Sequence, residues 1–172
     1  MNDFVATRVR QSISGNVFPP KYPDENWLDT SIINVTNCMA YALNCTYSPK
    51  RGTEIYDLET DRTQPNFSDK LFVNEELISV FEKRMNQLGI RFKRLGGYQG
   101  RRPANAYQIV LCNSVNLRDF HFARQNKNGV WSHKMGWWRL PMDICEKDES
   151  IDDYMMDLGY KVIAYYAIYK IQ

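Results

Sequence analysis

One β-hairpin constrains the fold of this chain more than any other segment. Two runs of alternating side chains, Asp119–Gln125 and Val130–Lys134, flank a short polar segment that ends in Gly129. A three-residue turn with this glycine in the left-handed conformation places Ala123 opposite His133. The pattern therefore predicts two antiparallel strands with a defined register.

The hairpin carries both histidines of the chain, twelve residues apart. Because successive side chains of a strand point to opposite faces, Asp119 and His121 share a face, and His133 joins them from the second strand. One imidazole can then act as a base while a second polar group orients it. Phe120 and Phe122 point to the other face, into a core. A four-residue turn would instead separate the two histidines onto opposite faces.

Cys38 lies at the start of the first predicted helix, residues 37–46, for which Thr36 or Asn37 is the N-cap. The positive end of a helix favours a thiolate, and a nearby histidinium would lower the pKa of the thiol further. A cysteine at the start of a helix and a histidine on a strand are the least that a thiolate nucleophile with an imidazole base requires. The alternative for Cys38 is a small buried core residue.

The other three cysteines fit different roles. Cys45 and Cys112 follow apolar patterns and are predicted to be core residues, whereas Cys145 lies near acidic residues that would raise the pKa of a thiol. The chain has no Cys-x-x-Cys pair, which favours reduced thiols in a cytosolic compartment.

A metal site is an alternative function for the same side chains. The ligands of such a site would be Cys38, His121, His133 and a further cysteine. The paired-ligand spacing that is typical of metal sites is absent from the sequence. We therefore expect neither a metal nor another cofactor.

Charge and hydropathy exclude several other classes of function. The 22 basic and 20 acidic residues give a net charge of +2, without the concentrated basic face that nucleic-acid binding needs. The N-terminus does not have the pattern of a secretory signal peptide, and no run of apolar residues is long enough for a membrane span. We expect a cytoplasmic protein, or one delivered into a host cell without a classical signal peptide.

The chain is predicted to contain an N-terminal arm and one domain. Residues 1–30 are expected to be irregular and extended, because three prolines lie between positions 19 and 23. Residues 31–172 are long enough to form a single domain with its own core. Within them, residues 48–69 are polar and rich in turn residues, which predicts a long loop.

Residues 74–88 have the clearest helical pattern in the chain. Asn74 is the predicted N-cap, Gly89 ends the helix, and apolar residues recur at helical spacing at Leu77, Phe81, Met85 and Leu88. A short acidic helix is predicted from Ser150. Strands are predicted at 90–95, 107–112, 119–125, 130–135 and 160–171. Helices followed by an antiparallel sheet define the α+β class.

Two blocks of the sequence resemble papain-like peptidases of the NlpC type and, more loosely, the cysteine-histidine-dependent amidohydrolases. In that superfamily a cysteine opens a helix, a histidine follows on a strand, and a second polar residue comes after the next turn. Asn37–Leu43 and Trp131–Lys134 also resemble a bacterial and phage group with the motifs Asn-Cys-x-Ala-Tyr-Ala-Leu and Trp-Ser-His-Lys. The resemblance implies a papain-like fold, with the cysteine-bearing helix packed on an antiparallel sheet that carries the histidine hairpin.

The resemblance also implies a set of site residues. The nucleophile, the general base and the residue that orients the base would be Cys38, His121 and His133. Asp119 is the alternative partner for the base, and Asn37 would help to shape the oxyanion hole or cap the helix. The sequence departs from the pattern in two respects. The interval of 83 residues between cysteine and histidine is longer than in compact cell-wall enzymes, and Met135 replaces a proline.

A cysteine hydrolase is the function that the resemblance implies. Such an enzyme would be a peptidase, an amidase or a deamidase, with a protein or peptide as its substrate. A bacterial effector or a phage-encoded protein that acts on a host protein agrees with the expected compartment. The alternative is a catalytically inactive papain-like domain that serves as an interaction module.

Overall fold

The computed structural model of the protein describes residues 3–48, 73–100, 103–114, 116–136, 139–143 and 150–171. The predicted loop over residues 48–69 lies outside the described residues except for Ser48, and Cys145 lies outside them as well.

The described chain begins with helices and continues into strands. The helices are α1 (Asp3–Gly15), α2 (Thr30–Ile33), α3 (Cys38–Ala42), α4 (Asn74–Leu88) and α5 (Ile151–Asp157), with a 3-10 turn at Glu25–Trp27. The strands are β1 (Phe92–Leu95), β2 (Ala106–Ser114), β3 (Asp119–Gln125), β4 (Trp131–Lys134), β5 (Pro141–Asp143) and β6 (Lys161–Tyr169).

The strands form one open antiparallel sheet in the order β1-β6-β2-β3-β4-β5. One face of this sheet packs against α1, α3 and α4, and the larger core cluster lies there. The other face packs against α5, around a smaller cluster that includes Cys112, Ala123 and Met155. The predicted α+β class is confirmed.

Helix α4 matches its sequence pattern closely. The four apolar residues that predicted it are buried, and Gly89 ends it in the left-handed conformation with φ of 66°. The N-cap residue is Val73 and not the predicted Asn74, whose side-chain oxygen accepts a hydrogen bond from Asn113 at 2.9 Å.

The N-terminal segment differs from the expected extended arm. Residues Asp3–Gly15 form α1, with Ala6, Val9 and Ile13 buried. These three residues recur at the spacing of one helical face, and the prolines begin only after the helix has ended. Arg10 ties α1 to α4 by donating a hydrogen bond to the carbonyl oxygen of Leu88 at 3.0 Å.

Helix α3 is shorter than the sequence predicted. It ends at Ala42, and Asn44 has a φ of 55°, so Cys45 lies beyond the helix although it is buried as predicted. At its start, Oδ1 of Asn37 accepts a hydrogen bond from the backbone N–H of Ala40 at 3.1 Å, so Asn37 is the N-cap of the two predicted candidates, Thr36 and Asn37.

The hairpin of β3 and β4 has the predicted register. Ala123 pairs with His133, and Gly129 takes the left-handed conformation with φ of 88°. Phe120 and Phe122 pack in the core on the α4 side, as predicted. Strand β5, which the sequence analysis did not predict, extends the sheet beyond β4.

Replacing Phe122 by alanine should lower the free energy of unfolding by about 3–5 kcal/mol, because its ring is fully buried against the ring of Phe81. Urea unfolding would measure the change. Phe4→Ala is the matched control, since Phe4 is 65% exposed and should cost less than about 1 kcal/mol. Equal losses in the two variants would contradict the assigned hairpin face.

Candidate active site

Three side chains on one face of the hairpin hold α3. Arg124 and Ser132 are register partners, and Lys134 lies two residues further along β4 on the same face. Nη1 of Arg124 donates to the carbonyl oxygen of Tyr41 at 2.8 Å, and Oγ of Ser132 is 2.7 Å from the hydroxyl of Tyr41. Nζ of Lys134 donates to the carbonyl oxygen of Thr36 at 2.8 Å. The start and the end of α3 are therefore both fixed to the hairpin.

The Cys38 thiol lies next to β3. The pairing of β3 with β4 ends at Ala123 and His133, and the backbone of the next residue, Phe122, is close enough to the thiol to lower its pKa. The side chain of Cys38 is 5% exposed.

The two imidazoles lie on the face of the hairpin that is turned away from α3. Nε2 of His121 is 2.9 Å from Nδ1 of His133, and the two rings are perpendicular with centroids 5.1 Å apart. Nε2 of His133 is 3.2 Å from the hydroxyl of Tyr154 on α5, and the ring of His121 packs against Tyr160 with centroids 5.3 Å apart. Both imidazoles are buried.

This chain of contacts has only two arrangements of protons that satisfy it when both imidazoles are neutral. In one, Nε2–H of His121 donates to His133, and Nε2–H of His133 donates to Tyr154. In the other, the Tyr154 hydroxyl donates to Nε2 of His133, and Nδ1–H of His133 donates to Nε2 of His121. Nδ1 of His121 then carries a proton. Only the first arrangement leaves Nδ1 of His121 free to accept a proton.

Asp119 bonds to other groups and not to His121. Its Oδ2 accepts a hydrogen bond from the Tyr160 hydroxyl at 2.5 Å, and its Oδ1 accepts one from the backbone N–H of Phe120 at 2.9 Å. The partner of the His121 ring in this structure is thus His133. Asn37 serves as the N-cap of α3 and so fixes the start of the helix.

Burial decides the charge of the site. It raises the pKa of the Cys38 thiol to about 12, and the negative charge of Asp119 adds to this rise. Burial also lowers the pKa of His121 to about 3, with a contribution from His133, and the pKa of His133 to about 4. At neutral pH the thiol is protonated and both imidazoles are neutral. Desolvation of the Cys38 thiol thus outweighs the favourable position at the helix start, and its pKa lies above the ordinary value.

The structure also places the two cysteines that were predicted to be core residues. Cys112, like Cys45, is buried as predicted. Among the described residues, no group of three His, Cys, Asp or Glu side chains is arranged as metal ligands. Within the same part of the chain, no helix is long and apolar enough to cross a membrane.

Sequence reasoning missed three side chains around the site, namely Lys134, Tyr154 and Tyr160. For Lys134 a local signal existed, since strand alternation places it on the same face as Ser132. The two tyrosines had no such signal, because they reach the histidines only through the packing of α5 and the start of β6 on the sheet.

The comparisons with known proteins add no relative. A scan against protein-family models and a search of curated proteins found no match to this chain.

The two buried histidines should make the protein sensitive to mild acid. Both stay neutral in the folded state, whereas the unfolded chain binds a proton at each below pH 6.5. The unfolded state therefore binds more protons, and the free energy of unfolding should fall by roughly 2–4 kcal/mol between pH 6.5 and pH 5.

Urea unfolding at a series of pH values would measure this dependence. The control is the double variant His121→Gln and His133→Gln, which keeps polar groups at both positions but cannot titrate. If the wild-type protein and the double variant lose stability in parallel over this range, the two imidazoles are not held neutral by the fold.

Proposed function

We propose that the protein is a cysteine hydrolase in which Cys38 attacks an acyl carbon, His121 is the general base and His133 orients it. The observation that carries this proposal is the 2.9 Å contact between Nε2 of His121 and Nδ1 of His133. When Nε2–H of His121 donates to His133, this bond fixes the ring and leaves Nδ1 of His121 to accept a proton from the thiol.

A papain-like arrangement is part of the same proposal. A cysteine at the start of α3 and a histidine pair on the hairpin belong to elements that Arg124, Ser132 and Lys134 hold together. This arrangement agrees with the Cys-His-His order that the two sequence blocks share with NlpC-type peptidases.

The chemistry starts from a neutral pair. As the Cys38 sulfur bonds to the acyl carbon, its proton moves to Nδ1 of His121, and the carbonyl π electrons move to the oxygen. The backbone N–H of Cys38, at the first turn of α3, is positioned to donate to that oxygen. The tetrahedral intermediate then collapses, the carbon–nitrogen bond breaks, and the leaving amine takes the proton from His121.

Hydrolysis of the thioester completes the cycle. His121 takes a proton from water, the hydroxide bonds to the acyl carbon, and the carbon–sulfur bond breaks as the thiol is reprotonated. The products are a carboxylic acid and an amine or ammonia. Peptide cleavage and glutamine deamidation follow the same steps, so the substrate class in this proposal is an amide of a protein or peptide. An effector or phage-encoded protein that modifies a host protein remains the biological setting that we propose.

The second candidate is an inactive papain-like interaction domain. It is favoured by the burial of Cys38, whose pKa of about 12 lies far above that of His121 at about 3. Proton transfer between the two groups is strongly unfavourable while both are buried, so a hydrolase needs bound substrate to bring the two pKa values closer together. An interaction domain has no such requirement.

Amide hydrolysis by variants at the three site residues tests the first candidate. Mass spectrometry of new N-termini and ammonia release, measured on a panel of denatured proteins, would distinguish cleavage from deamidation. Cys38→Ala should abolish activity, and His121→Ala should reduce kcat about a thousandfold. His133→Ala should reduce it only about ten- to hundredfold, because it removes the orienting group and not the base.

Cys45→Ala is the matched control, since Cys45 is buried outside the site and its replacement should leave kcat within twofold. Residual turnover in folded Cys38→Ala would exclude the nucleophile. A larger loss in His133→Ala than in His121→Ala would exchange the roles of the two histidines. Absence of turnover with every substrate would favour the interaction domain.

A further inference from the structure

Lys134 is a completely buried lysine beside the start of α3. Its Nζ donates to the carbonyl oxygens of Thr36 at 2.8 Å and of Gly136 at 2.5 Å. These two acceptors satisfy two of the three N–H groups of an ammonium. In the described part of the chain, no carboxylate forms an ion pair with it. Within that part of the chain, the groups that hold the charge are therefore neutral oxygens.

A buried cation without a counter-ion is costly. Desolvation of an ammonium costs several kcal/mol, and carbonyl dipoles recover only a part of it. A hydrophobic side chain of similar volume would fill the same space and avoid that cost. The placement of Lys134 is consequently easiest to explain if an anion forms next to it for part of the time.

Cys38 is an acidic group in the same turn of the chain that Lys134 binds. The Thr36 carbonyl that Lys134 binds is two residues before Cys38, and both belong to the turn that opens α3. The charges of the two groups affect each other, since Lys134 lowers the pKa of Cys38 and Cys38 raises the pKa of Lys134. No corresponding help comes from the histidines, which are neutral in the resting site.

We propose that the Lys134 ammonium stabilises the negative charge that develops on the Cys38 sulfur as the thiol loses its proton, and that it fixes the turn that carries the cysteine. This role rests on the proposed function, in which Cys38 is the nucleophile. Lys134 is then a positioning residue that acts through Cys38, and His121 is left to transfer the proton.

The charges around Cys38 allow this assignment. Burial lowers the pKa of Lys134 to about 8, so the ammonium form prevails at pH 7. Asp119 on β3 opposes the thiolate, which makes a compensating cation more important. Burial also raises the pKa values of Cys112 on β2 and of Tyr160, so these groups stay neutral near pH 7.

Alkylation of individual cysteines by iodoacetamide, followed by mass spectrometry, tests the proposal without a substrate. At pH 7, Cys38 in Lys134→Met should react about tenfold more slowly than in the wild-type protein, because its thiolate has lost the nearby cation. Lys134→Arg keeps the charge and should react within threefold of the wild-type rate. Lys161→Met is the matched control, since Lys161 is exposed on β6 and should leave the rate unchanged.

Cys45 and Cys112 report on the fold in the same samples, because both are fully buried. A loosened structure would accelerate labelling of all three cysteines, whereas loss of the cation slows labelling of Cys38 alone. The proposal is overturned if Cys38 is alkylated at the wild-type rate in folded Lys134→Met. It is also overturned if Cys38 is alkylated as slowly in Lys134→Arg as in Lys134→Met. Wild-type Cys38 that reacts no faster than Cys45 and Cys112 overturns it as well.

If Lys134→Met does not fold, the wild-type pH profile decides. The Cys38 rate should rise about tenfold per pH unit below pH 8 and bend to a shallower slope above it, as Lys134 loses its proton. A profile without this bend overturns the proposal.

His121→Ala separates the proposal from the proposed function. The hydrolase proposal fails if the wild-type protein turns over no substrate and Cys38 is labelled at the same rate in His121→Ala as in the wild-type protein. The effect of Lys134 on the thiol still stands in that case if Lys134→Met slows the labelling of Cys38. If folded Lys134→Met still turns over substrate and its Cys38 alkylation rate is unchanged, the role of Lys134 is overturned and the hydrolase proposal stands.

Discussion

A buried guanidinium holds the helix that carries the cysteine. Arg124 lies over the ring of Tyr41 at 3.8 Å and donates to the Tyr41 carbonyl oxygen, to Oδ1 of Asn44 and to the carbonyl oxygen of Lys21. A helix of five residues is not stable by itself, so α3 exists because these contacts and its buried side chains fix it to the sheet. The position of Cys38 relative to the hairpin depends on this attachment.

Strand alternation separates two tasks on the same hairpin. One face presents Arg124, Ser132 and Lys134, which bind the backbone and side chains of the segment around α3. The other face presents His121 and His133, which α5 and the segment before β6 cover. Because the two sets of side chains point to opposite faces of the hairpin, the anchors can hold α3 without occupying the space of the imidazoles.

Covering the histidine face has an electrostatic consequence. Burial keeps both imidazoles neutral and the thiol protonated, so Cys38 and the histidines form no ion pair at rest. The cation Lys134, which lowers the pKa of the thiol, comes from the anchoring face. Lys134 thus both fixes the turn before Cys38 and acts on the Cys38 thiol through its positive charge.

Local pattern alone predicted the α+β class, helix α4, a helix cap at Thr36 or Asn37 and, for a three-residue turn, the hairpin register, because each depends on residues a few positions apart in the chain. The tertiary structure decided which surfaces are covered. Burial raises the pKa of Cys38, which a position at the helix start would by itself lower, and contacts over 21 and 98 residues supplied Tyr154 and the acceptor of Lys134. A pKa depends on the solvent and charges that surround a group in space, and those neighbours are set by long-range packing that periodicity and turn chemistry do not encode.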